Sequence, residues 1–249
     1  MGMIEITDFK KSFGSKQVHQ GVTFFVRKGE CVGLIGGSGA GKSVILRSLI
    51  GLERPDSGKI LIEGIEVTAL RERELGPIRK KVAYVFQGGA LFDSMTVFEN
   101  LAYPLREHTK LSESEIKHKI LHQLEEFGLS GNESVYPGNL SGGMQKRVGL
   151  ARAMMMDPEV VLYDEPTAGL DPYNTKRIQE HILDLKGRGV TSILVTHDMP
   201  TAFAVCDKLA ILRHGRIAAQ GTIEQLEKDS KNIISQFING DADSYGTKR

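Results

Sequence analysis

Residues 36–43 read Gly36-Gly37-Ser38-Gly39-Ala40-Gly41-Lys42-Ser43 and directly follow an apolar run at 31–35. The run predicts a buried strand, and residues 42–50 predict a helix that ends at Gly51. A glycine loop between a strand and a helix has the full form of a P-loop. Glycine lets backbone N–H groups approach phosphate oxygens closely, and the helix N-terminus adds partial positive charge. The sequence therefore predicts an α/β domain that binds a nucleoside triphosphate.

Two side chains at the end of this loop complete the predicted phosphate site. The Lys42 ammonium supplies a point charge for the β- and γ-phosphates of the nucleotide, in binding and in catalysis, and the Ser43 hydroxyl is a hard oxygen ligand for Mg²⁺. A glycine turn that binds nothing is the alternative, and the position after a buried strand argues against it. The expected nucleotide contacts are Gly36, Gly37, Ser38, Gly39, Ala40, Gly41, Lys42, Ser43 and Val44.

A second apolar run, at 160–163, ends in two adjacent carboxylates, Asp164 and Glu165. Side chains alternate along a strand, so these two are expected to point in different directions. Asp164 is suited to hold Mg²⁺ through water, and Glu165 to face the γ-phosphate and polarise the attacking water. An Asp-Glu pair at a strand end is also a common solvated feature, but the P-loop upstream favours the functional interpretation.

The composition bounds the kind of protein. The chain has 249 residues, of which 40% are hydrophobic and 25% charged, as in ordinary globular proteins. A net charge of +1 gives no general attraction to nucleic acid or anionic lipid, so no nucleic-acid partner is expected. Two cysteines, Cys31 and Cys206, form no disulfide framework and fit a reducing compartment. No apolar run approaches the ~20 residues that span a bilayer, and no signal peptide is expected.

The order of predicted elements indicates an α/β core interrupted by a helical insert. The insert is expected at about 88–157, where Ser112 and Glu115 form a capping box before apolar residues at helical spacing, until Gly128 ends the helix. A further helix is predicted at 173–186. The predicted strands outside the apolar runs already described are 4–6, 22–26, 59–62, 82–86, 191–196, 208–212 and 216–219.

Further motifs stand in a fixed order around the loop and the acidic pair. Leu140-Ser141-Gly142-Gly143 precedes the pair, Gln87 follows a predicted strand, and Gly169-Leu170-Asp171 and His197 come after the pair. With these motifs the chain resembles the ATP-binding cassette (ABC) ATPases over nearly its whole length. They match that family's signature motif, Q-loop, D-loop and switch histidine. Phe13 stands where the family usually has the aromatic residue that stacks on adenine.

The resemblance implies a P-loop NTPase fold with a mainly parallel core sheet, an N-terminal antiparallel β subdomain and a helical subdomain at about 88–157. It implies a single ABC ATPase domain over 1–240 and a flexible tail over 241–249. ATP and Mg²⁺ are the implied cofactors. Gln87 is implied both beside the metal and in catalysis, and His197 is implied to bond the γ-phosphate and steady the transition state.

The family also pairs two cassettes head to tail, which implies a homodimer in the ATP-bound state. Each ATP then lies between the P-loop of one chain and the signature of the other. Ser141 and the amides of Gly142 and Gly143 would donate to the γ-phosphate of the partner's ATP. Asp171 would lie across the interface.

The chain departs from the family pattern at two positions. The fifth signature position, usually glutamine, is Met144, although Gln145 follows it. We expect activity to survive this change, because the serine and glycine amides carry the contact. Phe13 replaces the commoner tyrosine, and stacking needs only a ring face. Packing of Phe13 in the core is the alternative.

The resemblance extends to partners. In ABC transporters the region after the Q-loop forms a groove that receives a short helix of the integral membrane permease, and here residues 90–105 near Gln87 are unusually apolar. The same residues could instead form the core of the helical insert. Such a subunit would lie at the cytoplasmic face of the inner membrane as a peripheral protein.

The amino-acid sequences of residues 89–92, 100–109 and 236–240 are similar to those of the ATPase subunit of Mla-type transporters. Those bacterial systems work with an MCE-domain protein and move phospholipids across the envelope. The sequence leaves three alternatives open: an importer ATPase for a small polar solute such as an amino acid, a soluble ABC ATPase outside transport, and an assembly module that binds ATP without useful turnover. The balanced charge argues against a nucleic-acid partner, and Glu165 with His197 argues against the assembly module.

Overall fold

The computed structural model describes residues 2–228, and this part of the chain contains ten strands and eight α-helices. The strands are β1 (Ile4–Phe13), β2 (Lys16–Val26), β3 (Cys31–Ile35), β4 (Ser57–Ile62), β5 (Ile65–Glu66), β6 (Val82–Val85), β7 (Val160–Asp164), β8 (Thr191–Val195), β9 (Lys208–Arg213) and β10 (Arg216–Gly221). The helices are α1 (Lys42–Leu49), α2 (Gly76–Lys81), α3 (Val97–His108), α4 (Glu113–Glu126), α5 (Gly142–Met154), α6 (Pro172–Gly187), α7 (Met199–Val205) and α8 (Ile223–Glu227).

The larger sheet has the order β10-β9-β3-β8-β7-β6, in which every neighbouring pair is parallel except β9 with β10. Strands β3, β7 and β8 are buried at every position, because apolar cores cover both faces of the sheet. Val195 pairs with both Leu34 and Asp164, so the carboxyl ends of these three strands meet at one edge. Ligands of open parallel sheets bind at this edge. The predicted mainly parallel core is confirmed.

The smaller sheet has the order β2-β1-β4-β5 and is antiparallel throughout, as predicted for the N-terminal part. Strand β2 is twice as long as the run at 22–26 that the sequence indicated. Its first half contains the polar residues Lys16, Gln17, His19 and Gln20. This half therefore lacks the alternation of apolar and polar residues that indicates a half-buried strand. His19 is nevertheless fully buried against the ring of Phe9, so an imidazole takes the place of an apolar side chain.

Helices α3, α4 and α5 lie within residues 88–157, which the sequence predicted to be mainly helical. The capping box of Ser112 and Glu115 is present: the Ser112 backbone N–H donates to Glu115, and the Glu115 N–H donates to the Ser112 hydroxyl. Helix α3 begins at a second capping box, formed by Thr96 and Glu99, which the sequence analysis missed. The division into domains and subdomains stays a prediction, and the tail over 241–249 and the segment 236–240 lie outside the described residues.

Two cores flank the larger sheet. One contains Tyr163 of β7 and the apolar faces of α3, α4, α5 and α6, and the other contains Leu162 of β7, helix α1 and the smaller sheet. Adjacent residues of β7 therefore pack into different cores, as alternation along a strand requires. Among residues 2–228, none of the helices has the length and apolar character needed to cross a bilayer.

Candidate nucleotide-binding site

The P-loop connects β3, at the centre of the larger sheet, to helix α1. Gly39 and Gly41 have φ values of +73° and +88°, a left-handed backbone that glycine adopts without strain. A Cβ atom at Gly41 would lie 2.5 Å from Val18 Cγ1 and 2.6 Å from the His19 ring, so no larger residue fits there. Strand β2 thus supports the loop from behind, at the point where it enters the helix.

Lys42 is buried at the first position of α1, with 8% of its surface exposed. Its ammonium donates to the carbonyl oxygens of Gly36 at 2.7 Å and Gly37 at 3.1 Å. Burial lowers the pKa of Lys42, and the charges of Glu165 and Asp164 oppose that effect. The cation is thereby folded back over the loop, within reach of an anion that enters it.

Ser43 and Asp164 meet although 121 residues separate them in the sequence. The Ser43 hydroxyl donates to Asp164 Oδ1 at 2.7 Å, and Asp164 is only 6% exposed. Among the described residues there is no cluster of three or more His, Cys, Asp or Glu side chains that could hold a metal by themselves. One carboxylate and one hydroxyl nevertheless fit Mg²⁺, which binds through one or two protein oxygens while water and substrate phosphates complete its shell.

The second oxygen of Asp164 has a partner that the sequence analysis missed. The Tyr84 hydroxyl of β6 donates to Asp164 Oδ2 at 2.8 Å. Tyr84 pairs with Leu162 on the neighbouring strand, two residues before Asp164, so both side chains lie on the same face of the sheet. The sequence shows an aromatic residue three positions before Gln87 in a predicted strand. Its contact with Asp164 depends on the register between β6 and β7, which the sequence does not give.

Glu165 points away from Asp164, as the strand alternation predicted, toward His197 at the end of β8. Its carboxylate Oε2 lies 2.9 Å from His197 Nδ1 and accepts the backbone N–H of His197 at 3.3 Å. Glu165 has a left-handed backbone with φ of +53°, which is uncommon for a residue other than glycine. The side chain of Glu165 is 14% exposed and that of His197 is 69% exposed. The pair therefore stands at the mouth of the site.

A cavity of about 550 Å³ connects these groups. It opens beside the P-loop and extends to the tip of β1, where Phe13 is 47% exposed with the Lys11 ammonium 5.1 Å from its ring centroid. An exposed ring at this position is inconsistent with core packing of Phe13. The lining residues are Phe13, Lys16, Val18, Ser38, Gly39, Gly41, Lys42, Ser43, Val44, Gln87, Glu165, Val195 and His197. The structure thus brings six of the predicted P-loop residues together with Phe13, Gln87, Glu165 and His197, whereas Gly36, Gly37, Ala40 and Asp164 do not line this cavity.

The Leu-Ser-Gly-Gly segment does not line this cavity. Ser141 caps α5 by accepting the Met144 N–H at 3.3 Å, and Ser141 and Gly142 are exposed. Gly143 is buried, and a Cβ there would lie 2.5 Å from the Asn174 side chain of α6. The exposed turn therefore packs tightly against the start of α6.

Asp171 lies in this second group. It caps α6 by accepting the Asn174 N–H at 2.9 Å, and this hydrogen bond lowers the pKa of Asp171. Arg147 of α5 donates to the Asn174 side chain at 3.2 Å. Asn174 thus ties Asp171 to the helix that begins at Ser141. The predicted site residues form two groups in one chain: one around the cavity, and one made of the exposed Ser141, Gly142 and Asp171 with the buried Gly143 beneath them.

A separate groove of about 370 Å³ runs along β6, which is the last strand of the larger sheet within residues 2–228. Phe92 and Tyr103 form one wall, with ring centroids 5.1 Å apart and exposed fractions of 42% each. The Arg152 guanidinium lies 5.4 Å from the Phe92 ring centroid and donates to the Ala90 carbonyl at 2.8 Å. Leu101 and Leu105 are buried instead, so the apolar residues at 90–105 divide between this groove and the core.

The sequence is similar to those of known proteins. A sequence model of the ABC transporter family matches residues 19–168. A Mycobacterium tuberculosis protein named "Probable ribonucleotide transport ATP-binding protein mkl" is 43% identical over 238 residues, which cover 95% of this chain and 66% of that protein. The chain thus spans about two thirds of the length of this relative. The Haemophilus influenzae "Intermembrane phospholipid transport system ATP-binding protein MlaF" is 36% identical over 242 residues, 97% of this chain and 92% of that protein.

The fold is also similar to solved structures. A dimeric ATP-binding cassette in a post-hydrolysis state, bound to ADP and Pi, superimposes with a TM-score of 0.82 at 30% identity, covering 89% of this chain and 99% of that one. The predicted membership is therefore confirmed: this chain belongs to the ABC transporter family, as an ATP-binding subunit with the fold of its ATP-hydrolysing cassettes.

Proposed function

We propose that the chain powers phospholipid transport across a bacterial envelope, as the ATPase of a transporter with a membrane permease and an MCE-domain protein. It would act as a peripheral subunit at the cytoplasmic face of the inner membrane. The observation that carries the choice of cargo is the likeness to MlaF over 97% of this chain and 92% of that protein. The similarity of residues 89–92 and 100–109 to Mla-type ATPases supports the same choice.

In the proposed site, ATP lies in the 550 Å³ cavity with its adenine on the exposed face of Phe13. The loop amides of 36–44 receive the phosphates, and Lys42 leaves the carbonyls of Gly36 and Gly37 to bind them. Ser43 and Asp164 would hold Mg²⁺, with Gln87 beside it, and the bound metal would neutralise part of the phosphate charge.

Hydrolysis is assigned to Glu165 and His197. The partly buried carboxylate of Glu165 would accept a proton from the attacking water, and before ATP binds His197 holds that carboxylate through the 2.9 Å contact. When the γ-phosphate is present, the exposed His197 imidazole is free to turn and donate to it. The chemistry is thus positioning and charge stabilisation, as in other P-loop ATPases.

The site is completed by a second copy of the chain. Ser141 and Gly142 are exposed at the N-terminus of a 13-residue helix and do not line the nucleotide cavity of their own chain. A helix N-terminus attracts anions, so the two exposed residues fit the γ-phosphate of a partner's ATP. Asn174 accepts from Arg147 and donates to Asp171, and this link to the helix of Ser141 supports a position of Asp171 at the proposed interface.

The groove beside β6 is proposed to receive the permease. The exposed rings of Phe92 and Tyr103 form an aromatic wall of this groove, which would receive the apolar face of a short amphipathic helix. The groove also contains Ala90, three residues after Gln87, so a helix seated there would lie next to the nucleotide cavity.

An importer of a small polar solute is the second candidate. The mycobacterial relative, whose name refers to ribonucleotide transport, is 43% identical and favours a polar cargo. None of the described site residues distinguishes the two cargoes, since all of them serve the nucleotide or the proposed protein contacts.

Purification of the tagged full-length chain from native membranes separates these possibilities. We expect a permease, an MCE-domain protein and phospholipid to accompany it. Phe92→Glu should release these partners, whereas Phe25→Glu should retain them; Phe25 is a matched control, 45% exposed on β2 with Arg27 beside its ring. A binding protein for a polar solute among the partners would favour the second candidate, and recovery of the chain without any membrane protein would contradict both.

A further inference from the structure

The Asp164 carboxylate is fixed at both of its oxygens by residues from different elements. Oδ1 accepts the Ser43 hydroxyl of α1 at 2.7 Å, and Oδ2 accepts the Tyr84 hydroxyl of β6 at 2.8 Å. At 6% exposure, little water reaches the carboxylate to replace either bond. Rotation of Asp164 about its terminal bond would break both bonds, so the two together select one orientation.

Tyr84 is itself held firmly. Its ring packs against Phe86 with centroids 4.2 Å apart and contacts the core that contains α1. Strand pairing fixes its backbone, with Ala83 opposite Val161 and Val85 opposite Tyr163. A rigid donor of this kind orients its acceptor.

We propose that Tyr84 is a positioning residue of the nucleotide site, which holds Asp164 with Oδ1 toward Ser43, the residue with which it would hold Mg²⁺. The inference rests on the proposed metal role of Asp164. Tyr84 does not line the nucleotide cavity and would act only through Asp164. Without its hydroxyl, Asp164 Oδ2 loses its partner in a site closed to water, and the carboxylate can turn away from Ser43.

Tyr84→Phe tests the proposal, because it removes the hydroxyl and keeps the ring that also forms part of the groove wall. Tyr163→Phe is the matched control: it removes the same group from a residue next to Asp164 that is fully buried in the core on the opposite face of the sheet. The measurement is the affinity of the full chain for a non-hydrolysable ATP analogue, with Mg²⁺ and with EDTA.

We expect Mg²⁺ to raise the analogue affinity of wild type and Tyr163→Phe equally. In Tyr84→Phe this Mg²⁺-dependent gain should fall by about three- to tenfold, while the affinity in EDTA stays unchanged. The Mg²⁺ concentration that half-activates ATP hydrolysis should rise by a similar factor, with activity restored by excess Mg²⁺.

Two results would overturn the role of Tyr84. One is an equal Mg²⁺-dependent gain in both variants, and the other is a larger gain in Tyr84→Phe, as expected if the phenol only withdraws charge from Asp164. The absence of any gain in wild type is a different result, since it would contradict the proposed metal site as well as the role of Tyr84.

Discussion

Glu165 Oε2 lies 2.9 Å from His197 Nδ1, while the preceding residue, Asp164, bonds Ser43 and Tyr84 instead. The two adjacent carboxylates therefore contact different residues. The left-handed backbone of Glu165, with φ of +53°, turns the chain out of β7 immediately after Asp164. A strained backbone that persists at a site is a reason to look for function there.

Glu165→Gln should retain ATP binding and lower hydrolysis by at least about a hundredfold, because an amide cannot accept the proton of the attacking water. The amide is nearly isosteric, so the cavity keeps its shape. Steady-state ATPase rates and analogue affinity measure the two effects, and size-exclusion chromatography with ATP should reveal a trapped dimer.

Glu159→Gln is the matched control for this prediction. Glu159 precedes the same strand, is 40% exposed and pairs with Lys81 at 3.2 Å, far from the cavity lining. We expect this variant to hydrolyse ATP at the wild-type rate. Near-normal turnover in Glu165→Gln would remove the assignment of Glu165 as the base.

Ser141→Arg should lower hydrolysis by about a hundredfold and leave the ATP affinity of the monomer unchanged. Ser141 is exposed and does not line the nucleotide cavity of its own chain. A bulky cation at position 141 would therefore obstruct only the nucleotide site of the partner chain in the proposed dimer. Hydrolysis at protein concentrations that support dimers, and analogue binding at concentrations that do not, measure the two effects separately.

Ser112→Arg controls for the lost helix cap. Ser112 caps α4 as Ser141 caps α5, so each substitution removes one cap worth about 1 kcal/mol. Hydrolysis should survive in Ser112→Arg. A large loss of ATP affinity in monomeric Ser141→Arg would contradict the proposed sandwich of two chains.

The sequence predicted the elements that have a strong local pattern. Strands β3, β7 and β8 are continuous apolar runs because both of their faces are buried, and such runs are visible without a structure. The bond between Tyr84 and Asp164 depends on the pairing of β6 with β7, strands about 80 residues apart, and no local pattern encodes that register. The short helix α2 was missed as well, since six residues contain too few turns to show a helical period.

Acid should destabilise the protein in part through His19. Burial lowers the pKa of His19 to about 4 from 6.5, so between these pH values the unfolded chain binds more protons than the folded one. The resulting stability is fully present above pH 6.5 and is lost as the pH falls toward 4. At about 1.4 kcal/mol for each pH unit, the loss at pH 5 is about 2 kcal/mol.

His19→Leu places an apolar side chain of similar size beside Phe9 and should remove this loss. Between pH 7.5 and pH 5, its free energy of unfolding should fall by about 2 kcal/mol less than that of wild type in denaturant titrations. His122 lies on α4, and its side chain is 64% exposed. The free energy of unfolding of His122→Leu should therefore depend on pH as that of wild type does. Parallel curves for wild type and His19→Leu would show that His19 does not bear the acid sensitivity.

Met144→Gln should restore the usual family residue and change ATP hydrolysis by less than about twofold. Met144 is half-buried and packs against the hydrophobic core to which α5 contributes. The side chain of the neighbouring Gln145 donates to the carbonyls of Pro137 at 2.9 Å and Leu140 at 3.2 Å. Gln145 thus supports the loop before Ser141, and Gln145→Met should cost about 2 kcal/mol and lower hydrolysis. Thermal unfolding and ATPase rates measure both variants; a tenfold gain in Met144→Gln would mean that position 144 reaches the nucleotide or the partner.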